Sequence, residues 1–292
     1  METNQDVNNT SPCCVCGREI ERAQAYKKIE AHGQTHLLCC PMCEATLEAG
    51  EVQQKMMPRS FSHERIEVLV EYLPAVRIGG DYAYINWITA DKLYLVVADV
   101  AGHGITSSLI MNRMSTEFDR KLRVREDPLA TIAMELNQWM HSRLGDLRHY
   151  ATAFLGLIDF TAGTLTYLSC GHPPQLLWSG EHQRLHRLES QVTPLGLVPK
   201  RVFGEPTTST VRVNSGDKLV LYTDGLTDAT LRDSSEFGVE GIVSELAQSA
   251  EGPGMGTARN LVRLVRELGH GSRPDDVLFV FADIKRTGIM EE

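Results

Sequence analysis

Carboxylates in this chain gather at the ends of apolar runs. Residues 93–104 (LYLVVADVAGHG) and 218–228 (KLVLYTDGLTD) each close on an aspartate with glycine close behind, and residues 273–281 (RPDDVLFVF) set paired aspartates before a third run. Asp81, directly after Gly79 and Gly80, adds a further acidic point. Aspartate is a poor strand former beside valine, isoleucine, leucine and tyrosine. At the edge of an apolar strand it therefore marks a loop kept for a purpose. A β-sheet could bring Asp81, Asp99, Asp224 and Asp275 or Asp276 to one place. Carboxylates so gathered repel and raise one another's pKa values. Hard divalent cations such as Mg²⁺ or Mn²⁺ cancel that repulsion and prefer oxygen ligands. The chemistry these residues point to is metal-dependent hydrolysis. Seen singly, each of them could equally be a turn residue.

The second group able to do chemistry is made of thiols. Of seven cysteines, all but Cys170 fall within residues 13–43. Cys13 with Cys16 and Cys40 with Cys43 form two CxxC turns, the arrangement of a tetrahedral Cys₄ zinc site. Cys14, Cys39 or His36 could replace a ligand, because the doubled cysteines leave the register open. Residues 26–29 and 35–38 around Gly33 have the composition of a hairpin. The zinc would staple a module too small to bury its own core, or it would sense metal or oxidant, or hold a partner. Nucleic-acid binding by this module is disfavoured: Arg18, Arg22, Lys27 and Lys28 are its only bases, too few for strong phosphate contact.

The elements that must position these groups follow from pattern. Residues 1–12 read as a disordered tail, 13–43 as the thiol module and 44–58 as a linker helix ended by Pro58. Strands are expected at 66–73, 93–98, 152–159, 164–169, 175–178, 211–213, 218–223 and 277–281. Residues 105–122 carry apolar side chains at 105, 109, 110, 114, 118 and 122, and residues 129–144 at 129, 132, 133, 136, 140 and 144, both with helical period. Further helices are expected at 239–247 and 257–268. Strands come in antiparallel-looking groups rather than strict β-α-β alternation, which suggests an α+β fold with sheets covered by helices. The chain has 292 residues, 42% of them hydrophobic, and a formal net charge of −9. That charge argues against broad nucleic-acid binding. No apolar stretch approaches the roughly 18–20 residues that span a bilayer, and the first residues lack the marks of a signal peptide. A cytoplasmic location is the default.

Taken in order, VRIGGDYAY (76–84), VVADVAGHGITSSLIM (96–111), YATAFLGLID (150–159), YLSCGHPPQLL (167–177), LYTDGLTDA (221–229) and PDDVLFV (274–280) resemble the PPM family, more narrowly its SpoIIE/RsbU-type bacterial serine/threonine phosphatases. The resemblance covers residues 45–285 and implies a β-sandwich flanked by helices with a two-metal cleft at one end of the sheets. It implies that Asp99 bridges two Mn²⁺ or Mg²⁺ ions, that Asp224 and Asp275 complete the ligands of one, and that Asp81 with the Val100 carbonyl serves the other. Asp275 is favoured over Asp276 by position. Water activated by the two metals would be the nucleophile, without a covalent phospho-enzyme. The implied substrate is a phosphorylated regulatory protein such as an anti-sigma-factor antagonist. An activator protein is a further expected partner, and the short amphipathic 44–57 segment allows a homodimer. His103 and His172 are read as turn residues. Where the family often has a second aspartate, an Ala-Ala pair, a threonine and a small residue, this chain has Tyr84, Ser107-Ser108, Leu278 and Cys170. None of these removes an implied ligand. The competing readings are a non-catalytic scaffold of the same fold and a zinc- or redox-sensing interaction protein. Intact Asp81, Asp99, Asp224 and Asp275 speak against the scaffold.

Overall fold

The computed structural model describes residues 10–31, 34–124, 127–229, 236–247, 254–268 and 275–288. The chain divides into two units, one of Met1–Met56 with Val76–Ile78, the other of Met57–Ala75 with Gly79–Glu292. In the first, β1 (Thr10–Pro12) pairs antiparallel with β2 (Glu19–Glu21), β3 (Lys27–Ala31) pairs likewise with β4 (Gln34–Leu38), and α1 (Pro41–Met56) follows. The β3–β4 pair is the expected hairpin, although Gly33 lies outside the described residues. Of the expected tail, residues 1–9 also lie outside them, while Thr10–Pro12 are paired as β1. α1 begins before residue 44 because proline suits the first helical turn, where its missing N–H has no partner to lose. The helix groups with the cysteines in the first unit.

The second unit contains β5 (Phe61–Ser62), β6 (Ile66–Leu73), β7 (Asp81–Thr89), β8 (Lys92–Val100), α2 (Ile105–Phe118), α3 (Leu129–Leu144), β9 (Ala151–Asp159), β10 (Thr164–Cys170), β11 (Gln175–Ser179), β12 (Arg184–Leu188), α4 (Lys200–Phe203), β13 (Ser209–Arg212), β14 (Lys218–Tyr222), α5 (Asp224–Thr227), α6 (Gly238–Ala247), α7 (Met255–Leu268) and β15 (Val277–Ile284). They build one antiparallel sheet in the order β13-β10-β9-β8-β7 and another in the order β12-β11-β14-β15-β6-β5.

Alternation along each strand sends side chains to two faces, and here both faces are buried. Ala83, Leu95, Val97 and Leu165 of the first sheet meet Val68, Leu219, Leu221 and Val280 of the second. Tyr82, Tyr84, Val96 and Ala98 point the other way, against Met111, Met114 and Phe118 of α2 and Ile132, Leu136 and Met140 of α3. On the far side of the second sheet, Val220, Tyr222, Phe279 and Phe281 pack with Ile242 and Leu246 of α6 and Leu261 of α7. The result is the expected α+β sandwich, layered helix, sheet, sheet, helix.

Candidate metal centre

Strand register does most of the gathering. β7 and β8 pair so that Asp81 faces Asp99, and β9 sets Thr152 against Asp99 on its other side. Like charges directly opposite destabilise a sheet, so this register serves the site rather than the strands. In the second sheet, β14 ends at Tyr222, Thr223 turns the chain, and Asp224 opens α5. Tyr222 pairs with Phe279, which brings Asp275 and Asp276, just ahead of β15, to the same end. Thr223 joins the two sheets there. Its hydroxyl donates to Asp81 Oδ2 at 2.7 Å and accepts the Leu278 N–H at 2.9 Å.

The carboxylates sense one another strongly. Burial first, then the charges of Asp99 and Asp276, hold the Asp81 carboxyl well above the usual range, against the lowering hydrogen bond from Thr223. Burial and then Asp224, Asp275 and Asp276 push Asp99 up to about 8. Asp224 is raised by burial and then by Asp275. Among the described residues, no lysine or arginine pairs with Asp81, Asp99, Asp224 or Asp275. Carboxylates gathered this way, with Asp81 buried and Asp99, Asp224 and Asp275 partly so, fit hard divalent cations. They are not drawn into a group whose ligand atoms all lie within 4.8 Å, as four cysteines are. Mg²⁺ and Mn²⁺ keep several waters, so few direct carboxylate ligands are needed.

The paired aspartates separate into two roles. Asp276 is buried and accepts the backbone N–H groups of Ala75 at 2.7 Å and Gly80 at 2.8 Å, which fixes the turn leading into Asp81. Asp275 accepts a local bond from the Asp276 N–H at 2.8 Å. The glycines beside the aspartates are there for close approach. A Cβ on Gly79 would fall 2.0 Å from Asp276 Oδ2, one on Gly80 2.6 Å from the Val100 carbonyl oxygen, and one on Gly225 1.8 Å from the Asp276 carbonyl oxygen.

Sequence reasoning missed three supports. Thr223 is one. His172, read as a turn residue at the sheet edge, is instead buried and bridges the sheets. Its Nε2 lies 3.0 Å from the Tyr222 carbonyl, and its Nδ1 lies 2.7 Å from Thr152 Oγ1. This pattern suits the neutral ring with Nε2–H donating and the threonine hydroxyl donating to Nδ1. Burial pushes its pKa down to about 4, opposed by the hydrogen bond to Tyr222. Gln175 accepts the Tyr222 N–H at 2.7 Å and donates to the Tyr222 carbonyl at 3.1 Å. A glutamine in the otherwise apolar run QLLW was the available signal. His103, by contrast, is exposed in a tight turn between Gly102 and Gly104, whose φ values are +89° and +85°.

Among the thiols, the four whose sulfurs all lie within 4.8 Å of one another are Cys13, Cys16, Cys39 and Cys43. The expected set had Cys40 in place of Cys39. Cys40 lies next to the group, 3.6 Å from Cys43 and 3.7 Å from Cys39.

Residues 89–285 match the family described as Stage II sporulation protein E (SpoIIE). The chain is 25% identical over 249 residues to the phosphoserine phosphatase RsbP of Bacillus subtilis, covering 81% of this chain and 57% of RsbP, so it spans little more than half the length of that relative. Its fold is similar to the SiaA-PP2C domain of Pseudomonas aeruginosa, with a TM-score of 0.70 and 21% identity over 83% of this chain and 96% of that domain. It is also similar to RsbX, solved in complex with magnesium, with a TM-score of 0.59 and 21% identity over 78% of this chain and all (100%) of RsbX. With more than half of its length matched and the PP2C architecture built around the acidic cluster, the chain belongs to the SpoIIE family.

Proposed function

We propose that this protein is a metal-dependent phosphatase that removes phosphate from phosphoserine or phosphothreonine in a regulatory protein. The observation that supports it is the meeting of Asp81, Asp99, Asp224 and Asp275 at one end of the sandwich with no cationic side chain among the described residues to balance them. Asp99, central to the cluster, would be the carboxylate shared between two divalent cations. Asp81 and the Val100 carbonyl would hold one of them, and Asp224 with Asp275 the other. When bound there, two Mn²⁺ or Mg²⁺ ions would supply an activated water and charge stabilisation for phosphoryl transfer.

The chain's own part is preorganisation. Thr223 fixes the Asp81 carboxylate, Asp276 fixes the turn that carries Asp81, and His172 and Gln175 fix the backbone just ahead of Asp224. No side chain here is required to become phosphorylated. The name of RsbP, a phosphoserine phosphatase, supports the phosphoester class. A small signalling protein of the anti-sigma-factor antagonist type is the substrate the family resemblance favours, with an activator protein as a second partner. No described helix is long and apolar enough to cross a membrane.

The test is hydrolysis of phosphoserine and phosphothreonine peptides by the full chain with Mn²⁺, Mg²⁺ or EDTA, alongside Asp99→Asn. Turnover should need the divalent ion and fall by more than about a hundredfold in the variant. Near-normal turnover by Asp99→Asn would remove the shared-ligand role. A chain that binds Mn²⁺ yet cleaves no phosphoester, alone or with a candidate activator, would favour the scaffold.

A further inference from the structure

The catalytic reading leaves the thiol cluster unused. Cys16 and Cys39 sulfurs are 3.6 Å apart, and Cys39 and Cys43 sulfurs 3.4 Å apart. A disulfide needs about 2.05 Å. Four sulfurs each about 2.3 Å from a central zinc stand about 3.8 Å from one another. The observed spacing is thus that of thiols around one small centre, not of bonded pairs. Cys13 and Cys43 are buried with Leu38 packed beside them, Cys39 is half-buried and Cys16 is exposed.

Local backbone geometry favours this register. The turn from Cys13 closes with the Gly17 N–H donating to the Cys13 carbonyl, and Gly17 takes φ +72°, so the chain reverses directly after Cys16. On the other side, the Cys40 carbonyl accepts the Cys43 and Glu44 N–H groups, which closes the first turn of α1. Cys40 therefore serves as the residue that starts the helix, while Cys39 and Cys43 flank it with sulfurs in contact.

The same unit includes a short remote segment, Val76–Ile78. Arg77 donates from Nε at 3.2 Å and from Nη2 at 2.9 Å to the carbonyl of Cys14, which lies inside the Cys13–Cys16 turn. The carbonyl of Arg77 rests against α1 at Gly50, where a Cβ would come within 2.3 Å of it. One side of this segment is thus held by the turn carrying Cys13 and Cys16, the other by the helix carrying Cys43.

We propose that Cys13, Cys16, Cys39 and Cys43 bind one zinc ion as four thiolates, with Cys14 and Cys40 outside the shell, and that the bound metal secures residues 76–78 through Arg77. All-thiolate tetrahedral sites select zinc or iron, and a redox-inert structural role is zinc's. The consequence for the rest of the chain follows from sequence: Gly79-Gly80-Asp81 comes immediately after the secured segment.

The test needs no catalytic assay, so it stands or falls separately from the phosphatase reading. Metal analysis of the purified full chain should find about one zinc per chain. Replacement by Co²⁺ should give the visible bands and sulfur-to-cobalt charge transfer of a tetrahedral thiolate site. Cys40→Ser and Cys14→Ser should keep both the zinc and the cobalt spectrum, whereas Cys39→Ser should lose one thiolate's share of the charge-transfer intensity or the metal altogether. Loss of metal from Cys40→Ser with retention in Cys39→Ser would overturn the register. Absence of stoichiometric metal, iron in place of zinc, or disulfides among these cysteines would overturn the site. Amide exchange at residues 76–78 should quicken when a chelator removes the zinc, and quicken in Arg77→Ala with zinc retained. Exchange unchanged in both would overturn the role of Arg77.

Discussion

Asp81 depends on a neutral neighbour. The Thr223 hydroxyl both donates to its carboxylate and accepts the Leu278 N–H, and all three groups are buried. Thr223→Val keeps the shape, removes the donor and leaves a buried N–H without its partner. The expected cost is about 1–3 kcal/mol in denaturant unfolding. Partners that orient metal ligands carry roughly 10–100-fold in metal affinity, so the Mn²⁺ concentration for half-maximal activity should rise by that order. An unchanged Mn²⁺ requirement would show that Thr223 is only a packing residue. Gly225→Ala should be harsher, because its Cβ would press on the Asp276 backbone. Overpacking typically costs about 1–3 kcal/mol, and here the displaced backbone adjoins Asp275, so turnover should fall along with stability. At this scale the sequence reads unevenly. Asp81, Asp99 and Asp224 are conspicuous because aspartate is out of place beside apolar strands. Thr223 is not, because threonine at a strand end is ordinary. The division between Asp275 and Asp276 rests on which one meets the N–H groups of Ala75 and Gly80, some two hundred residues away in sequence, and no local pattern contains that.

Between elements, His172 is the link that changes with pH. It connects Thr152 of β9, the strand beside Asp99, to the carbonyl of Tyr222 at the end of β14. The unfolded chain takes up a proton on this imidazole near 6.5, while the folded chain holds off until about 4. Between those values the unfolded state binds more protons, so folding stability falls as pH drops from about 6.5 to about 4. The loss from this group alone is on the order of 3 kcal/mol, at 1.36 kcal/mol per pKa unit. His172→Gln can still donate to the Tyr222 carbonyl and does not titrate. Its unfolding free energy should therefore decline less steeply than the parent's over that interval, with the two curves parallel above pH 7. Parallel curves throughout would mean that the histidine is protonated or hydrated in the fold. The elements themselves were partly legible. Valine- and leucine-rich β8, β14 and β15 announce themselves, but β7 does not. Its residues Tyr82 and Tyr84 face the α2 layer while Ala83 faces the other sheet, so burial on both sides erases alternation. α2 was found as a helix but with a shifted face. Ile105 and Leu109, expected inside, are 48% and 66% exposed, while Ser107 and Ser115 are buried. A Cβ on Gly80 would come within 3.1 Å of the Ser107 Cβ. The helix therefore meets the Gly79-Gly80 turn with a small residue, and close packing overrides hydrophobicity there.

For the whole molecule, two ligand chemistries in one chain predict two separable metal populations. Carboxylates and a carbonyl suit Mn²⁺ or Mg²⁺, which exchange readily and keep water. Thiolates favour zinc over manganese by softness and by the general affinity order of divalent metals. Protein stripped of weakly held ions by brief dialysis against EDTA and returned to Mn²⁺ should therefore recover activity while retaining about one zinc per chain. Raising Mn²⁺ should not displace that zinc. Complete zinc removal by prolonged chelation should instead impair the folding of residues 10–56, because a module with so small a core depends on its metal. Two measurements on the same samples, metal content and near-ultraviolet circular dichroism against added Mn²⁺, separate the populations. Activity that returns only when zinc is supplied, with no zinc retained on the stripped chain, would place zinc in the acidic centre and reverse the assignment of both sites. The cysteine count alone already pointed to a metal. Which thiols come together, and that residues 76–78 group with them, became visible only once the chain was folded, because those contacts join residues far apart in sequence, 23 positions for Cys16 and Cys39 and 63 for Arg77 and Cys14.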